Sequence, residues 1–431
     1  MKFYLVGGYV RDKVLRELGF ELVHISRDRD HVVVGGSVDE MLAQGFVQVG
    51  ASFPVFLHPE TREEYALARR EVTTGDKHTD FNFDFSPDIS LEEDAQRRDF
   101  SINALYYDES SNELLDPTGQ GLQDCKDGIL RHAGIGFCED PLRVLRCARL
   151  AAQLGFKVAP ETVQLIRDMV GDGMLEYLSR ERIDNEFMRA LSPAYDSAKF
   201  LSYLHEWGAL KQLYPELERL VDCKENPHYH WTGTTWGHTL AALNVARNRS
   251  ARIKTALCYH DIYKPIAFEQ KQELEHYVAH DSEDALDYLR KYLSGRKFDS
   301  RTKTLCKLAV SYHMRMRLLF SGMSVGKWVD MIASISSNFR ADYLWQLEDF
   351  LEVCKADDLS DKTEACFENC GGRERWRIIS DCALQTFEVC TQIQARDIPS
   401  YQDLEVEELK SRLRQARITA VKQQVDFFKK N

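Results

Sequence analysis

The stretch KFYLVGGYVRDKVLRELGFELVHISRDRDHVVVGG, residues 2–36, decides the fold of the first part of the chain. It predicts a short apolar strand, the turn Gly7–Gly8, an amphipathic helix, and a second strand that opens with Asp28 and Asp30. Side chains two positions apart on a strand point to the same face, so these two carboxylates are expected to project together. Glycines before a helix allow backbone N–H groups to approach an anion closely. Such a phosphate cradle beside paired carboxylates is typical of Mg²⁺-dependent nucleotidyl or phosphoryl transfer.

Each part of this stretch has an ordinary structural explanation when it stands alone. A Gly-Gly pair is usually a turn, and an Asp-x-Asp sequence is usually a solvated surface. The conjunction resembles motif A of the DNA polymerase β-like nucleotidyltransferases. It is most similar to the GGxVRD…DxD form of the bacterial class II tRNA nucleotidyltransferases (CCA-adding enzymes) and the related poly(A) polymerases. The resemblance implies that Asp28 and Asp30 are catalytic and hold two Mg²⁺ ions, and that Gly8 and Arg11 contact phosphates.

A second string, DAQRRDFSINAL at residues 94–105, is the strongest single motif. A short amphipathic helix would explain any one of its residues. Arg98 could meet a triphosphate as a planar cation with several donors, and Asp99 and Asn103 could fix its position. The whole string resembles motif B (RRDFxxNAL) of the same family, which implies that Arg98 binds the nucleotide.

A third string, EDPLRVLR at residues 139–146, predicts the start of a helix, with Asp140 as the cap and proline next. Capping does not explain Arg143 and Arg146, which repeat at helical spacing beside Asp140. A carboxylate and an arginine fork on one helical turn can pair with the edge of a nucleobase. The string resembles the EDxxR motif of CCA-adding enzymes, in which the protein itself serves as the template for C and A. The segment LSRERI at residues 178–183 resembles motif E, which braces that helix, although a surface salt-bridge turn would explain it equally well.

The second half of the chain contains an ordered set of histidines: His238, the dyad His260–Asp261, and His280, with His313 further on. Single histidines are usually ordinary polar residues. The set resembles the HD phosphohydrolase domain found in one branch of bacterial CCA-adding enzymes, which implies a transition metal such as Ni²⁺. Two departures leave hydrolysis open. The usual HDxGK reads HDIYK, and a methionine follows His313 where a carboxylate would complete the site.

Composition sets wider bounds on what the chain is. Its 431 residues carry a formal charge of −12, which excludes a protein that coats nucleic acid unselectively. The sequence has no apolar stretch long enough to cross a membrane. Its 11 cysteines show no C-x-x-C pairs and fit reduced thiols, so we expect a cytoplasmic protein. The oligomeric state cannot be predicted from these features.

Strand-like and helical patterns divide the chain near residue 135. We predict an α/β head of the polymerase β-like nucleotidyltransferase type, followed by an all-α neck, body and tail. The predicted domains are the head at 1–135, a helical neck with the nucleotide template and RNA-binding surface at 136–220, an HD-like domain at 221–345 and a helical tail at 346–431. Within the head we expect a capping box from Ser37 to Glu40, a long loop over 73–87, and a weaker third carboxylate at Glu64.

These motifs together predict template-independent addition of CCA to the 3′ end of tRNA from CTP and ATP. Within the enzyme class, the alternatives are a poly(A) polymerase or a partial CC- or A-adding enzyme. The long 73–87 loop favours full addition, because the resemblance implies a shortened loop in CC-adding relatives. From a different class, the alternative is a non-catalytic RNA-binding protein or an HD hydrolase that keeps the head as a scaffold. The paired aspartates argue against the idle alternative.

Overall fold

The computed structural model describes residues 1–49, 54–73, 81–193, 195–225, 231–271, 281–360 and 372–430. The chain divides into two compact units, one containing Met1–Glu186 and Lys199–Leu213, the other Phe187–Ala198 and Tyr214–Asn431. The backbone therefore passes between the units three times. The predicted division into four domains stays a prediction. None of the helices in the described ranges is long and apolar enough to cross a membrane.

The first unit contains all the strands of the described chain: β1 (Lys2–Val6), β2 (Asp30–Val34), β3 (Val47–Val49), β4 (Val55–Leu57), β5 (Glu64–Leu67), β6 (Arg70–Thr73), β7 (Phe81–Asp84), β8 (Tyr106–Asp108), β9 (Glu113–Leu115), β10 (Ile129–Leu130) and β11 (Lys157–Val158). Seven of them form one sheet in the order β3-β4-β5-β2-β1-β8-β9. Only the central pair of β2 and β5 is parallel, so the sheet is mixed. The predicted α/β head is confirmed.

The helices of the first unit follow the sheet and its loops: α1 (Gly8–Glu17), α2 (Val38–Ala43), α3 (Leu91–Gln96), α4 (Gly121–Asp127), α5 (Leu142–Leu154), α6 (Pro160–Gly171), α7 (Arg180–Ala190), α8 (Ser197–Glu206) and α9 (Ala209–Leu213). Helix α7 crosses the boundary between the units, and α8 starts beyond it. The capping box at the start of α2 is confirmed, because Ser37 and Glu40 exchange hydrogen bonds as expected.

Strand alternation explains the two cores of the head. Tyr4, Val6 and Val32 belong to one buried cluster, whereas Val33 and Leu67 belong to a second. Neighbouring residues of a strand point to opposite faces, so β2 places one valine in each cluster. Val32 and Val33 are each 1% exposed. Burial of one such side chain contributes about 2 kcal/mol to the stability of the fold. The two buried valines therefore fix the register of β2, the strand that begins at Asp30.

Three local expectations need correction. Asp28 was expected on the second strand, but β2 begins at Asp30, so Asp28 lies in the segment before it. The expected loop over 73–87 contains β7, which pairs with β6 and places Thr73 opposite Phe81; residues 74–80 lie outside the described ranges. Strands were not expected beyond residue 139, but the short β11 pairs with β10. Aromatic residues at alternate positions explain β7, because they favour a paired strand.

The second unit is largely helical in its described residues and contains no strand there, as predicted. Its helices are α10 (Pro215–Glu218), α11 (Thr235–Val245), α12 (Ala251–Tyr259), α13 (Lys264–Lys271), α14 (Glu283–Ser294), α15 (Ser300–Tyr312), α16 (Val325–Ile335), α17 (Leu344–Ser360), α18 (Gly372–Gln392), α19 (Val406–Gln424) and α20 (Asp426–Lys430). The nine cysteines in the described part of the chain are free thiols, and the reduced state expected from their spacing stays a prediction.

Lys254 is a buried lysine that binds the first segment of the second unit, which begins at Phe187. Lys254 is 0% exposed, and its Nζ donates to the backbone carbonyls of Ser192 (2.9 Å) and Tyr195 (3.3 Å) and to the Ser197 hydroxyl (3.1 Å). Burial lowers the pKa of Lys254 to about 8. Phe187 packs in the same unit, with its ring 4.9 Å from that of Tyr214. Residues 187–198 are therefore anchored by side chains that come much later in the chain.

Candidate active site

The glycine turn and the second aspartate lie at the same end of the sheet. The antiparallel pairing of β1 with β2 sets Val6 opposite Asp30, and the chain turns at Gly7 immediately afterwards. Gly7 has a φ of 81°, a backbone conformation that glycine adopts readily. Helix α1 begins at Gly8, so its first N–H groups lie at the end of β1 beside Asp30. The structure thus brings the predicted anion cradle next to a predicted metal ligand.

Three exposed carboxylates, Asp28, Asp30 and Glu64, lie at this end of the sheet. Asp30 begins β2, and the parallel pairing of His31 with Tyr65 sets Glu64 of β5 beside it. Loss of surrounding water raises the pKa of Asp30, the negative charges of Glu64 and Asp28 raise it further, and Arg98 opposes them. The negative charges of Glu64 and Asp28 thus lie near enough to act on Asp30. Oxygen donors that repel one another and face solvent suit a hard cation such as Mg²⁺, so the residues present fit that metal.

Arg98 is held at the site by a buried partner. Its Nη2 lies 2.9 Å from Asp94 Oδ2, and its Nε donates to the Tyr106 hydroxyl at 2.9 Å. Asp94 is 0% exposed and also accepts from Arg97 Nε at 2.8 Å. Burial alone would raise the pKa of Asp94, but Arg98 and Arg97 hold it well below its usual range. The carboxylate therefore stays ionised and fixes the direction of the Arg98 guanidinium.

Arg11 is buried more deeply than a simple phosphate ligand would be. It is 5% exposed, its Nε donates to Asp12 at 2.8 Å, and its Nη1 donates to Asn103 Oδ1 at 3.0 Å. Asp12 in turn accepts from the backbone N–H of Ser26 at 2.7 Å. Gly8 packs against the same serine, because a Cβ on Gly8 would lie 3.2 Å from the Ser26 Cβ. These bonds fix the segment that leads into Asp28, while phosphate binding by Arg11 and Gly8 stays a prediction.

The predicted template residues lie at the start of α5. Asp140 accepts from the backbone N–H of Leu142 at 3.1 Å, as a cap would, and from Arg182 Nη2 at 2.7 Å. The second bond is the bracing contact expected of the LSRERI segment. Arg143 donates to the carbonyls of Gly136 and Arg97, the latter at 2.5 Å. In this state the Arg143 guanidinium is bound to backbone, so pairing with a base requires it to exchange those carbonyls.

Arg146 faces the motif B segment. Its Nη2 lies 2.6 Å from Asp99 Oδ2, and Asn103 donates to Asp99 Oδ1 at 3.0 Å. Burial opposes ionisation of Asp99, but Arg146 and Asn103 lower the pKa of Asp99 to about 2. Arg146 was expected to bind the nucleotide beside Asp140. The structure places it against Asp99, where it positions motif B, and direct nucleotide contact stays a prediction.

One chain of hydrogen bonds joins these parts. It runs from Arg146 through Asp99 to Asn103, and from there through Arg11 and Asp12 to the segment before Asp28, by the contacts given above. Its middle members are nearly inaccessible to water, with Asn103 at 6% and Asp12 at 1% exposure. Buried charge-assisted bonds are strong and directional. The helix of the proposed template and the carboxylates are therefore held in fixed geometry within one unit.

The second unit contains a buried cluster of histidine and aspartate side chains. His238 Nε2 lies 3.1 Å from His260 Nε2, and His260 Nε2 lies 3.1 Å from Asp261 Oδ2. Asp357 of α17 completes the set, with Oδ1 2.9 Å from His238 Nε2 and 3.5 Å from His260 Nε2. We call these four residues the His–Asp cluster. His280 lies outside the described ranges, and His313 lies 3.7 Å from Asp261.

The donor atoms of the His–Asp cluster fit a transition metal. Ligands bonded at about 2.1 Å in a tetrahedral site lie about 3.4 Å apart, close to the separations seen here. The other ring nitrogens are already occupied, since His260 Nδ1 lies 2.7 Å from the Leu257 carbonyl and His238 Nδ1 lies 3.2 Å from the Ser360 hydroxyl. Such bonds orient Nε2 toward a metal. Burial lowers the pKa of His260, but Asp261 and Asp357 raise it to about 10, as expected for imidazole among carboxylates.

Asp357 is the functional candidate that the sequence motifs missed. A carboxylate was sought directly after His313, where Met314 stands, but α17 supplies one from far along the chain. The pair Asp357–Asp358 near the end of an apolar helix was the only available signal. Asp358 has a different task, because it accepts from Trp376 Nε1 at 2.7 Å.

Comparison with known proteins agrees with this geometry. Residues 3–131 match the family described as "Poly A polymerase head domain", and residues 155–220 match "Probable RNA and SrmB- binding site of polymerase A". Residues 3–131 of the first unit are thus a head domain of the poly(A) polymerase class. A multifunctional CCA protein of Hahella chejuensis is 38% identical over 98% of this chain and 95% of its own. One from Actinobacillus pleuropneumoniae is 36% identical over 98% of both chains. The chain belongs to the family of multifunctional CCA proteins.

Solved structures show the same fold. The CCA-adding enzyme of Bacillus stearothermophilus in complex with CTP has a TM-score of 0.59 at 20% identity, covering 99% of this chain and 90% of that one. The Thermotoga maritima CCA-adding enzyme complexed with tRNA_CCA also has a TM-score of 0.59, at 15% identity, covering 98% and 87%. The head followed by a helical remainder is therefore the architecture of CCA-adding enzymes.

Proposed function

We propose that this protein adds CCA to the 3′ end of tRNA from CTP and ATP, without a nucleic-acid template, in the cytoplasm. The observation that carries the proposal is the first unit itself. One hydrogen-bond chain within it runs from Arg146, on the same helix as Arg143, to Ser26, which lies two residues before Asp28. The names of the relatives and the CTP, ATP and tRNA complexes among the structural neighbours support the same activity.

The carboxylates have the central task in the chemistry. The nucleotidyltransferase family implies a divalent metal, and we propose that Asp28 and Asp30 hold two Mg²⁺ ions, with Glu64 as a nearby third carboxylate. Ions bound there would lower the pKa of the tRNA 3′-hydroxyl and stabilise the departing pyrophosphate. Arg98, fixed by Asp94, is directed at the triphosphate. The first N–H groups of α1 at Gly8 contact its oxygens, with Arg11 behind them.

Residues at the start of α5 select the nucleotide. Asp140 offers an acceptor and Arg143 a fork of donors, which together match the Watson–Crick edges of C and A in turn. Arg182 keeps the Asp140 carboxylate in place through its 2.7 Å bond. To pair with a base, Arg143 must break its hydrogen bonds to the carbonyls of Gly136 and Arg97. Hydrogen bonds to the correct base then replace them. The tRNA acceptor stem is expected to be held by shape and backbone contacts with the helical parts of the chain.

The experiment that separates the candidates uses tRNA lacking its 3′ end. The protein is incubated with one labelled nucleotide at a time and then with both, and the product ends are sequenced. Stepwise C, C and A addition is the expected result. Long A tracts would identify a poly(A) polymerase, arrest after CC or a requirement for CC would identify a partial enzyme, and no incorporation would reduce the head to a scaffold for RNA binding.

We also propose that the His–Asp cluster binds a transition metal such as Ni²⁺ and supports hydrolysis of phosphate esters. The convergence of His238, His260, Asp261 and Asp357 on one buried point favours this second activity. A metal there would activate water for attack on phosphorus. Lys264, 2.8 Å from Asp261, balances the charge of that carboxylate.

Metal binding at the cluster is tested with purified protein and Ni²⁺, Co²⁺, Mn²⁺ or Mg²⁺. We expect a tight site for Ni²⁺ or Co²⁺ by calorimetry, lost in Asp261→Ala and weakened by roughly 10- to 100-fold in Asp357→Ala, because each supplies a charged ligand. Hydrolysis is measured on a phosphomonoester and on 2′,3′-cyclic AMP. CCA addition should persist in both variants. Failure of every ion to bind would make the cluster a structural element.

A further inference from the structure

The side of β2 opposite the metal carboxylates carries its own set of ionic contacts. Arg29 Nε lies 3.0 Å from Glu63 Oε1, and its Nη2 donates to both carboxylate oxygens of Glu109 at 2.7 Å. The second oxygen of Glu63 lies 3.3 Å from His31 Nε2. We call Arg29, His31, Glu63 and Glu109 the clasp. None of these residues is needed for metal coordination in the proposed mechanism.

The clasp alternates with the carboxylates along the chain. Arg29 stands between Asp28 and Asp30, and His31 follows directly. Because neighbouring strand residues point to opposite faces, His31 lies on the side away from Asp30. Arg29 shares Glu63 with His31, so it lies on that side as well. Every contact of the clasp therefore restrains the segment from Asp28 to His31, and does so from the face opposite Asp30.

The clasp also connects the start of β2 with residues next to two other strands of the sheet, β5 and β8. Glu63 precedes β5, and Glu109 follows β8, on the far side of β1 from β2. The His31 ring stacks on that of Tyr65 in β5, with 4.1 Å between centroids and 2° between planes. His31 is 5% exposed, so this stack is shielded from water. The clasp thus fixes the start of β2 against the start of β5, which is the alignment that sets Asp30 beside Glu64.

We propose that Glu63 and Arg29 are positioning residues for the metal site, which hold Asp28, Asp30 and Glu64 at the spacing a divalent cation requires. The proposal rests on the proposed function of those carboxylates and adds the residues that align them. Asp28 needs such a restraint most, because it precedes the strand and has no ladder hydrogen bond of its own. Partners behind metal ligands typically change metal affinity by about 10- to 100-fold.

A simple effect of charge makes the opposite prediction for one of the two residues. Loss of the negative Glu63 would weaken cation binding through the electrostatic field, whereas loss of the positive Arg29 would strengthen it. The clasp predicts weaker binding in both cases, because either change releases the segment. The double variant should be no worse than the single ones, since the contact is already lost.

Mn²⁺ is the probe, and its binding is followed by electron paramagnetic resonance on the full chain with Asp261→Ala in the background, so that the His–Asp cluster does not contribute. We expect Glu63→Gln and Arg29→Ala each to raise the Mn²⁺ dissociation constant by roughly tenfold. Arg29→Lys keeps the charge but cannot grip two carboxylates at once, so it should give an intermediate value. Glu60→Gln, an exposed residue of the same turn, is the matched control.

The same variants are assayed for CTP incorporation over a range of Mg²⁺ concentrations. The half-saturating Mg²⁺ concentration should rise, while the KM for CTP at saturating metal stays as in the unchanged protein. Tighter Mn²⁺ binding in Arg29→Ala, or values equal to the Glu60→Gln control, would overturn the clasp. If the unchanged protein neither binds Mn²⁺ at the head nor incorporates nucleotide, the proposed function fails instead, so the two failures are distinguishable.

Discussion

Replacement of Asp30 by alanine is expected to abolish incorporation of both CTP and ATP. Loss of a metal-holding carboxylate removes at least about 4 kcal/mol of transition-state stabilisation, a factor of about 10³ in rate. Asp28→Ala should behave alike. Incorporation of each labelled nucleotide into tRNA lacking its 3′ end measures both effects, because the two nucleotides share one metal site.

Stability should not fall in these variants. Loss of surrounding water raises the pKa of Asp30, and repulsion from Glu64 and Asp28 raises it further, so removal of this carboxylate relieves an unfavourable charge. We therefore expect a melting temperature equal to or slightly above that of the unchanged protein. Asp94→Ala provides the contrast, because it leaves two arginines without their buried partner and should destabilise the head. Turnover that survives in the double variant Asp28→Ala/Asp30→Ala would remove the metal assignment.

Loss of nucleotide choice is the expected result for Asp140→Ala and Arg143→Ala. A good bidentate pair gives about 1–3 kcal/mol of discrimination between bases, so selection of C and A over U and G should fall by roughly 10- to 100-fold. A wrong base would leave a buried polar group of the site unpaired, and the free-energy cost of that unpaired group disfavours the wrong base. Single-nucleotide incorporation of all four nucleotides gives the ratios directly.

The variant Arg182→Ala distinguishes pairing with the base from the positioning of Asp140 by Arg182. It removes the 2.7 Å bond to Asp140 without touching a base, so discrimination should fall less than in Asp140→Ala. Arg143→Lys keeps a positive charge but not the fork, and should resemble Arg143→Ala in selectivity. If all of these variants slow incorporation and yet keep the nucleotide choice, Asp140 and Arg143 are only a helix cap and its neighbour.

Features encoded in short windows could be predicted from the sequence. The capping box of α2 depends on residues three positions apart, and the β1–turn–α1 unit depends on apolar spacing and Gly7, so local rules were sufficient. Bracing of α5 by the LSRERI segment was predicted only through the family resemblance, and the contact between Arg182 and Asp140 came from the structure.

Features that depend on pairing across the fold were missed or misassigned. Asp357 joins the histidines because α17 packs beside α11 and α12, and the pair Asp357–Asp358 does not by itself indicate which helices lie next to it. The ion pair of Arg146 with Asp99 was not predicted, because helical spacing shows which residues share a face but not that Asp99 lies opposite. The strand β7 was read as loop, because its partner β6 determines its conformation. In each case tertiary contact overrode the local pattern.

The anchoring of residues 187–198 by Lys254 and by rings such as Tyr214 determines how the protein can be dissected. A stop codon after residue 213 would leave those residues without the lysine that holds them, and a fragment starting at residue 214 would lack the carbonyls that the lysine binds. Neither half of the gene therefore encodes a self-sufficient product. The proposed incorporation and the proposed hydrolysis must be tested separately by point substitution, and cleavage near residue 193 by a protease should impair both.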